Sequence, residues 1–297
     1  MEVDQMNPPN VVYWLSLAIA VLAIIAAGAG LFWRGNGSPY SFTTLRGTEA
    51  QMYGQGLYRH DTLFIGAGYK GQDAVVLFIG IPLLILATVL SRRGSLIGHL
   101  LLLGVLGYFL YVYASMCLGA AYNRLFLIYV ALLSASLFAF VTMFSSVDAE
   151  AIKSLIDRGA PQRSLAIFWF ASGLITIVVW GVPLVAALIK GGPPDRLDSY
   201  TTPVTYALDL AIITPATIVS GILILQGVAT GYLISMPLFT IIILLAPQIA
   251  LSTVFQKSDG VPFTTGEMIG PVAGFVLLGL IAIWLLVSLL RAFSQAG

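Results

Sequence analysis

Charge is what this chain has least of. Only 9% of its 297 residues are Asp, Glu, Lys or Arg, and 59% are apolar. A soluble domain carries about 25% charged residues, so the chain lacks the means to clothe itself in a hydrated surface. The solvent implied is lipid, in keeping with a mean hydropathy of +0.96. A net charge of +1 leaves no electrostatic handle for nucleic acid. Cysteine is nearly absent too: Cys117 stands alone, which excludes an internal disulfide. The two histidines, His60 and His99, complete no metal-ligand spacing. No metal and no cofactor is expected. Basic residues are missing from the N-terminal stretch "MEVDQMNPPN", where a secretory signal would carry them, so the first apolar run is expected to be a retained helix. No internal repeat is visible, and with it the inverted duplication of many transporters is missing.

Long apolar runs are what the chain does have. A spanning helix needs about 20 mostly apolar residues, because the hydrocarbon layer is about 30 Å thick and each residue rises about 1.5 Å. About eight runs meet that requirement, near 11–33, 75–91, 96–121, 125–145, 164–190, 205–226, 231–255 and 269–291. Unpaired backbone groups cannot face lipid, so the expected fold is all-α: a polytopic integral membrane helical bundle, residues 1–297 forming one transmembrane domain. An even number of spans puts both termini on one side. The dense basic signals, Arg92-Arg93 and the three bases of the 146–163 connection, place that side in the cytoplasm, and the plasma membrane is the expected location. The 146–163 connection itself reads as an interfacial amphipathic helix, with Ile152, Leu155 and Ile156 on one face and Gly159 and Pro161 ending it.

The most polar passage is "GQGLYRHDTLFIGAGYKGQD", residues 54–73. It holds a formal Gly66-x-Gly68-x-x-Gly71 match to a dinucleotide-binding turn. That turn needs a strand before it and an acid about 20 residues on; here it runs into an apolar span, and Ser91, Arg92 and Arg93 occupy the distal positions. The nucleotide reading fails. What remains is a connection over 34–74, long enough to be functional and rich enough in aromatics (Tyr40, Phe42, Tyr53, Tyr58, Phe64, Tyr69) to be an ordered cap on the extracytoplasmic end. Asp73 is expected to N-cap the second span, and Asp61 to cap a short turn.

Within the spans, Asp209 stands out, since an acid in a span is costly and faces protein or water. It lies about four residues into its helix, roughly 6 Å, on the side of the cap, where an ion pair with Arg59, Lys70 or Arg124 is open. The third span carries Gly104, Tyr108, Tyr111, Ser115, Gly119 and Tyr122 at helical spacing, a stripe expected to face the bundle interior. Gly266, Gly270 and Gly274 open the last span as a close-packing surface, with contact inside the chain favoured over dimerisation.

No catalytic residue and no metal ligand can be assigned. The ligand-binding candidates are Arg59, His60, Asp61, Arg124, Asp209, Tyr111, Ser115 and Tyr122, converging on the cap end. Three functions fit: a transporter or permease with an extracytoplasmic-side site for a small or amphiphilic ligand, a non-enzymatic assembly or sensing subunit whose cap binds a protein or lipid, or a membrane-embedded enzyme acting on lipid head groups. Membrane lipids are the expected surroundings in all three.

Overall fold

A computed structural model describes residues 8–148, 152–153 and 161–294. Among the described residues eight helices are long and apolar enough to cross a membrane. They are α1 (Asn10–Phe32), α2 (Leu63–Arg92), α3 (Leu96–Gly119), α4 (Phe126–Ser146), α5 (Gln162–Lys190), α6 (Val204–Leu225), α7 (Ala229–Ser258) and α8 (Thr265–Ser294). The protein is a multi-pass integral membrane protein with an all-α bundle. Mean hydropathies of 1.9 to 2.7 over the spans state the physical reason: each helix satisfies its own backbone and offers lipid an apolar exterior.

The helices α1 to α4 pack as neighbours in a ring, α1 against α2 and α4, α3 against α2 and α4. Helix α7 closes against α2 and α3, and it carries α6 and α8 on its other sides, while α5 leans on α6. The α5–α6–α7 contact is tied by a buried serine pair. The Trp169 indole N–H donates to Ser235 Oγ at 2.8 Å, Ser220 Oγ lies 2.8 Å from Ser235 Oγ, and Ser220 Oγ also reaches Gly231 O at 2.8 Å. Trp169 then stacks on Phe239 with ring centroids 4.6 Å apart.

Helix α2 begins at Leu63, not near 75, so the connection to α1 ends at Thr62, whose hydroxyl caps the helix by accepting from Ile65 N. Asp73 therefore sits more than two turns inside α2 and is not a cap. The sequence misleads here because "GAGYKGQD" looks like a loop, whereas its glycines are contact points: a Cβ at Gly66 would meet the Tyr53 ring, and one at Gly71 would strike the backbone of Ser252 in α7. Glycine lets α2 and α7 approach closely.

Helices α2 and α6 share one irregularity. Each contains a π turn, Val76–Gly80 and Asp209–Ile213, and each has a proline two residues after it, Pro82 and Pro215. A proline leaves a carbonyl without its usual donor, and the widened turn absorbs the mismatch within a continuous helix.

The cap is ordered over 33–62. An antiparallel hairpin, β1 (Tyr40–Thr43) and β2 (Glu49–Met52), pairs Tyr40 with Met52 and Thr43 with Glu49. Its aromatic anchors divide: Tyr53 and Tyr58 are buried, while Tyr40 and Phe42 on the hairpin are exposed. Tyr53 Oη donates to Asp259 Oδ2 at 2.8 Å, beside the Lys70–Asp259 ion pair at 3.4 Å, which pins the cap to the end of α7.

Two further expectations change. Among the described residues nothing lies within 4 Å of a Cβ placed on Gly266, Gly270 or Gly274, so this stripe is not where α8 packs on them; α8 meets α7 along other positions, such as Gly279 against Ala246. Most of the 146–163 amphipathic segment, including Leu155, Ile156 and Gly159, lies outside the described residues. Ile152 is described: it is fully buried, and its N–H donates to Asp148 O at 3.3 Å.

Candidate functional site: two cavities separated by Asp61

The cap end holds the connections 33–62, 120–125, 191–203 and 259–264. Four tyrosine or tryptophan contacts and three acids organise it. Asp61 is 1% exposed. Its Oδ1 accepts from the backbone N–H of Ala121, just past α3, at 2.8 Å, and from Tyr200 Oη at 2.7 Å. Its Oδ2 is buried with no hydrogen-bond partner. Burial drives the Asp61 carboxyl up to about 7, against the opposing pull of the Ala121 and Tyr200 hydrogen bonds. The Tyr200 phenol is pushed above its ordinary value, by burial first and then by the Asp61 charge.

Asp73 lies deeper in α2, where Tyr58 Oη donates to its Oδ2 and Gly30 of α1 gives it room: a Cβ there would collide with the carboxylate. Asp209, at the start of the α6 π turn, accepts from Tyr111 Oη and from the Trp180 indole N–H, each at 2.8 Å. The expected ion pair with Arg59, Lys70 or Arg124 does not form. Lys70 is committed to Asp259, and Tyr111 of α3 and Trp180 of α5 each take one oxygen of Asp209. Each of the three acids is thus held by neutral donors, and among the described residues none enters an ion pair. Neutral donors suffice because a carboxyl group inside the protein needs hydrogen bonds more than it needs a partner charge that must itself be desolvated.

Three cavities open at this end; one, of about 380 Å³ beside Arg34, Tyr53, Tyr58 and Lys70, holds none of the residues singled out from sequence, and the other two divide most of them. The arginine cavity, of about 380 Å³, is lined by Trp33, Arg59, His60, Tyr122, Asn123 and Arg124 together with the glycine-rich segments 35–37 and 54–56. The aromatic cavity, of about 560 Å³, lies between the start of α6, α5, the end of α3 and the 191–203 loop, with Tyr69, Ser115, Trp180, Arg196, Tyr200 and Tyr206 in its walls. Trp180 and Tyr206 stack with centroids 4.1 Å apart. Arg196 covers the ring of Phe64 at 4.5 Å and pairs with Glu267 at 3.1 Å.

The eight residues singled out from sequence are therefore divided. Arg59, His60, Tyr122 and Arg124 line the arginine cavity; Ser115 lines the aromatic one; Tyr111 and Asp209 stand behind its wall, holding Trp180 in place. Asp61 belongs to the partition, since its neighbour His60 faces one cavity and its partner Tyr200 the other. Tyr122 also departs from the α3 stripe: the helix ends at Gly119, and Tyr122 is 79% exposed while Tyr108 is buried. Trp180, Tyr200 and Tyr206 were not foreseen. Tyr206 lies three residues before Asp209, on the same helical face, a signal the sequence did contain. Among the described residues no three His, Cys, Asp or Glu side chains gather as a metal site requires.

Comparison of the chain with protein-family models, with curated proteins and with solved structures returns no match. What this multi-pass membrane protein does must be argued from its geometry.

Proposed function

We propose that the protein is a permease-like carrier that takes a small amphiphilic molecule into the aromatic cavity from the cap end, with the cap in extracytoplasmic water and both termini in the cytoplasm of a plasma-membrane protein. The cavity carries the reading. At about 560 Å³ it is of ligand size, and it joins a stacked Trp180–Tyr206 wall to the polar groups of Ser115, Thr202, Thr205 and Tyr200. An apolar body with one polar end suits such walls. The π turn and Pro215 lie in the helix that forms one side, and π turns recur at functional positions of helices. They provide a place where α6 can bend when the cavity fills or empties.

Binding and flux are tested separately. A homologous series of n-alkyl alcohols and n-alkylamines is titrated against the purified full-length protein, with tryptophan fluorescence as the readout. Saturable quenching by some members, lost in Trp180→Phe, supports the site. Proteoliposomes loaded with the tightest binder then report flux. Quenching that no member saturates, or that Trp180→Phe leaves unchanged, removes the proposal. Saturable binding without flux turns the reading from carrier to sensor.

A further inference from the structure

The arginine cavity brings two guanidinium groups, those of Arg59 and Arg124, to one recess. Lys70 and Arg196 each pair with an acid. Among the described residues Arg59 and Arg124 pair with none: Arg59 Nε donates to His60 Nε2 at 3.0 Å, and the Arg124 guanidinium rests over the Trp33 ring at 5.5 Å. No Asp or Glu lines the cavity. Two guanidinium groups and an imidazole thus surround a volume of about 380 Å³ with no negative charge of the protein's own to balance them.

The remaining wall is rich in glycine: Gly35, Gly37, Gly54 and Gly56 alternate with Asn36 and Gln55, and Leu57 completes it. Segments 35–37 and 54–56 pass each other so closely that a Cβ at Gly37 would strike Gly54 O and one at Gly35 would strike Gly56 N. Gly54 and Gly56 hold φ of +74° and +61°, a region that side chains with a Cβ disfavour. Glycine at these four positions leaves main chain uncovered between Asn36 and Gln55. Asn123 also lines the recess, its side chain fixed by accepting from Leu125 N at 2.9 Å and donating to Ala121 O at 3.3 Å.

The position in the membrane supplies the second half of the argument. Trp33 follows α1 directly and Tyr122 follows α3 by three residues, exposed at 42% and 79%. Leu118 and Leu127, close by in sequence, are exposed as well. Aromatic side chains at the ends of spans sit at the level of lipid head groups, so the recess opens where phosphates lie. A guanidinium fork matches the oxygens of a phosphoryl group in a bidentate manner.

We infer that the arginine cavity binds a phosphate-bearing anion, the phosphoryl group held by Arg59 and Arg124 with His60 beside it, and Trp33 and Tyr122 against the less polar part of the same molecule. Two sources share this chemistry: the head group of an anionic phospholipid and a free phosphate or phosphate ester. The site stands apart from the aromatic cavity and does not depend on the carrier reading.

The test uses the full-length protein. It is placed in nanodiscs of phosphatidylcholine alone or of phosphatidylcholine with phosphatidylglycerol, and in neutral detergent with or without inorganic phosphate. Thermal unfolding and lipid retention in native mass spectrometry are recorded. Preferential retention of phosphatidylglycerol with a raised Tm, and no effect of phosphate, assigns the site to a lipid head group. Stabilisation by phosphate alone assigns it to a free anion. In either case the R59Q/R124Q double variant is expected to weaken binding roughly tenfold, R59K/R124K to recover part of it, and R196Q to leave it unchanged. Wild-type protein that holds phosphatidylglycerol no better than phosphatidylcholine and is not stabilised by phosphate overturns the inference, whether or not the variants fold. Equal binding by wild type and R59Q/R124Q overturns it too.

Discussion

The two halves of the bundle solve the same burial problem to different degrees. In α3, 72% of the residues in the most apolar stretch are buried, and in α2 44%; in α5 the figure is 17% and in α8 22%. The first half, with the cap and α7, is held by close backbone approaches at Gly30 and Gly71 and by tyrosine–carboxylate contacts that leave no open space around Asp73. The second half presents apolar side chains to lipid on most sides and is joined by the Trp169–Ser235–Ser220 contact. The aromatic cavity lies at the seam between them, where α3 meets the start of α6. In a membrane, lipid is as apolar as the helices, so packing and hydrogen bonds decide what stays together. The half with more of its apolar surface packed against protein is the more tightly held of the two.

The sharpest way to break this comparison is to put the same side chain on a glycine in each half. Gly71→Leu would drive a side chain into the Ser252 backbone and is expected to abolish folded yield, since overpacking costs about 1–3 kcal/mol even where neighbours can give. Gly270→Leu faces open space and is expected to leave yield and Tm unchanged. Size-exclusion profiles and thermal unfolding of the two variants decide the matter; equal damage would show that α8 is as tightly held as α2.

A smaller effect is expected at Asp209. Asp209→Ala leaves both the Tyr111 hydroxyl and the Trp180 indole N–H without their acceptor, a loss of about 2–3 kcal/mol. Asp209→Asn retains an acceptor and is expected to cost about 1 kcal/mol. The Trp180 emission maximum should shift in the first variant and hold nearly still in the second. If the two variants behave alike, the carboxylate does not position Trp180 by hydrogen bonding.

The last effect, read as a slope with pH, is the most specific. Asp61 has an ordinary carboxyl value of 3.8, and burial in the folded protein lifts it to about 7. The folded state then binds this proton more tightly than the unfolded chain does. The stability it contributes is fully present below about 3.8, declines as pH rises between the two values, and is gone above about 7. Unfolding followed from pH 5 to pH 8 should show Tm falling with rising pH. Asp61→Asn, which keeps an acceptor for Ala121 N–H and Tyr200 Oη, should flatten that part of the profile. An unchanged slope in the variant would assign the pH dependence to another group.

How much of this was legible beforehand differs by residue. The spans were, because a run of about 20 apolar residues reports its own fate in lipid. Asp209 was, because an acid in such a run is rare. Its partners were not: Tyr111 lies 98 positions away in sequence, and long bases looked like better partners than two aromatic donors. The start of α2 was missed because glycine and lysine in "GAGYKGQD" resemble a loop when the neighbour that needs those glycines, Ser252, is unseen. The single pocket expected under the cap is divided, because Asp61 and Tyr200 meet between the arginine and the aromatic cavities.

By itself, the sequence determined that this protein lies in a membrane as a bundle of about eight helices with an ordered polar segment between the first two. Hydrophobic length and backbone satisfaction are local quantities, readable one span at a time. The tertiary structure alone decided which helices are the more tightly held, where the cavities open and which acid meets which donor. Those outcomes depend on how closely distant segments approach, and a glycine or a tyrosine has no fixed meaning until its neighbour across the interface is in place.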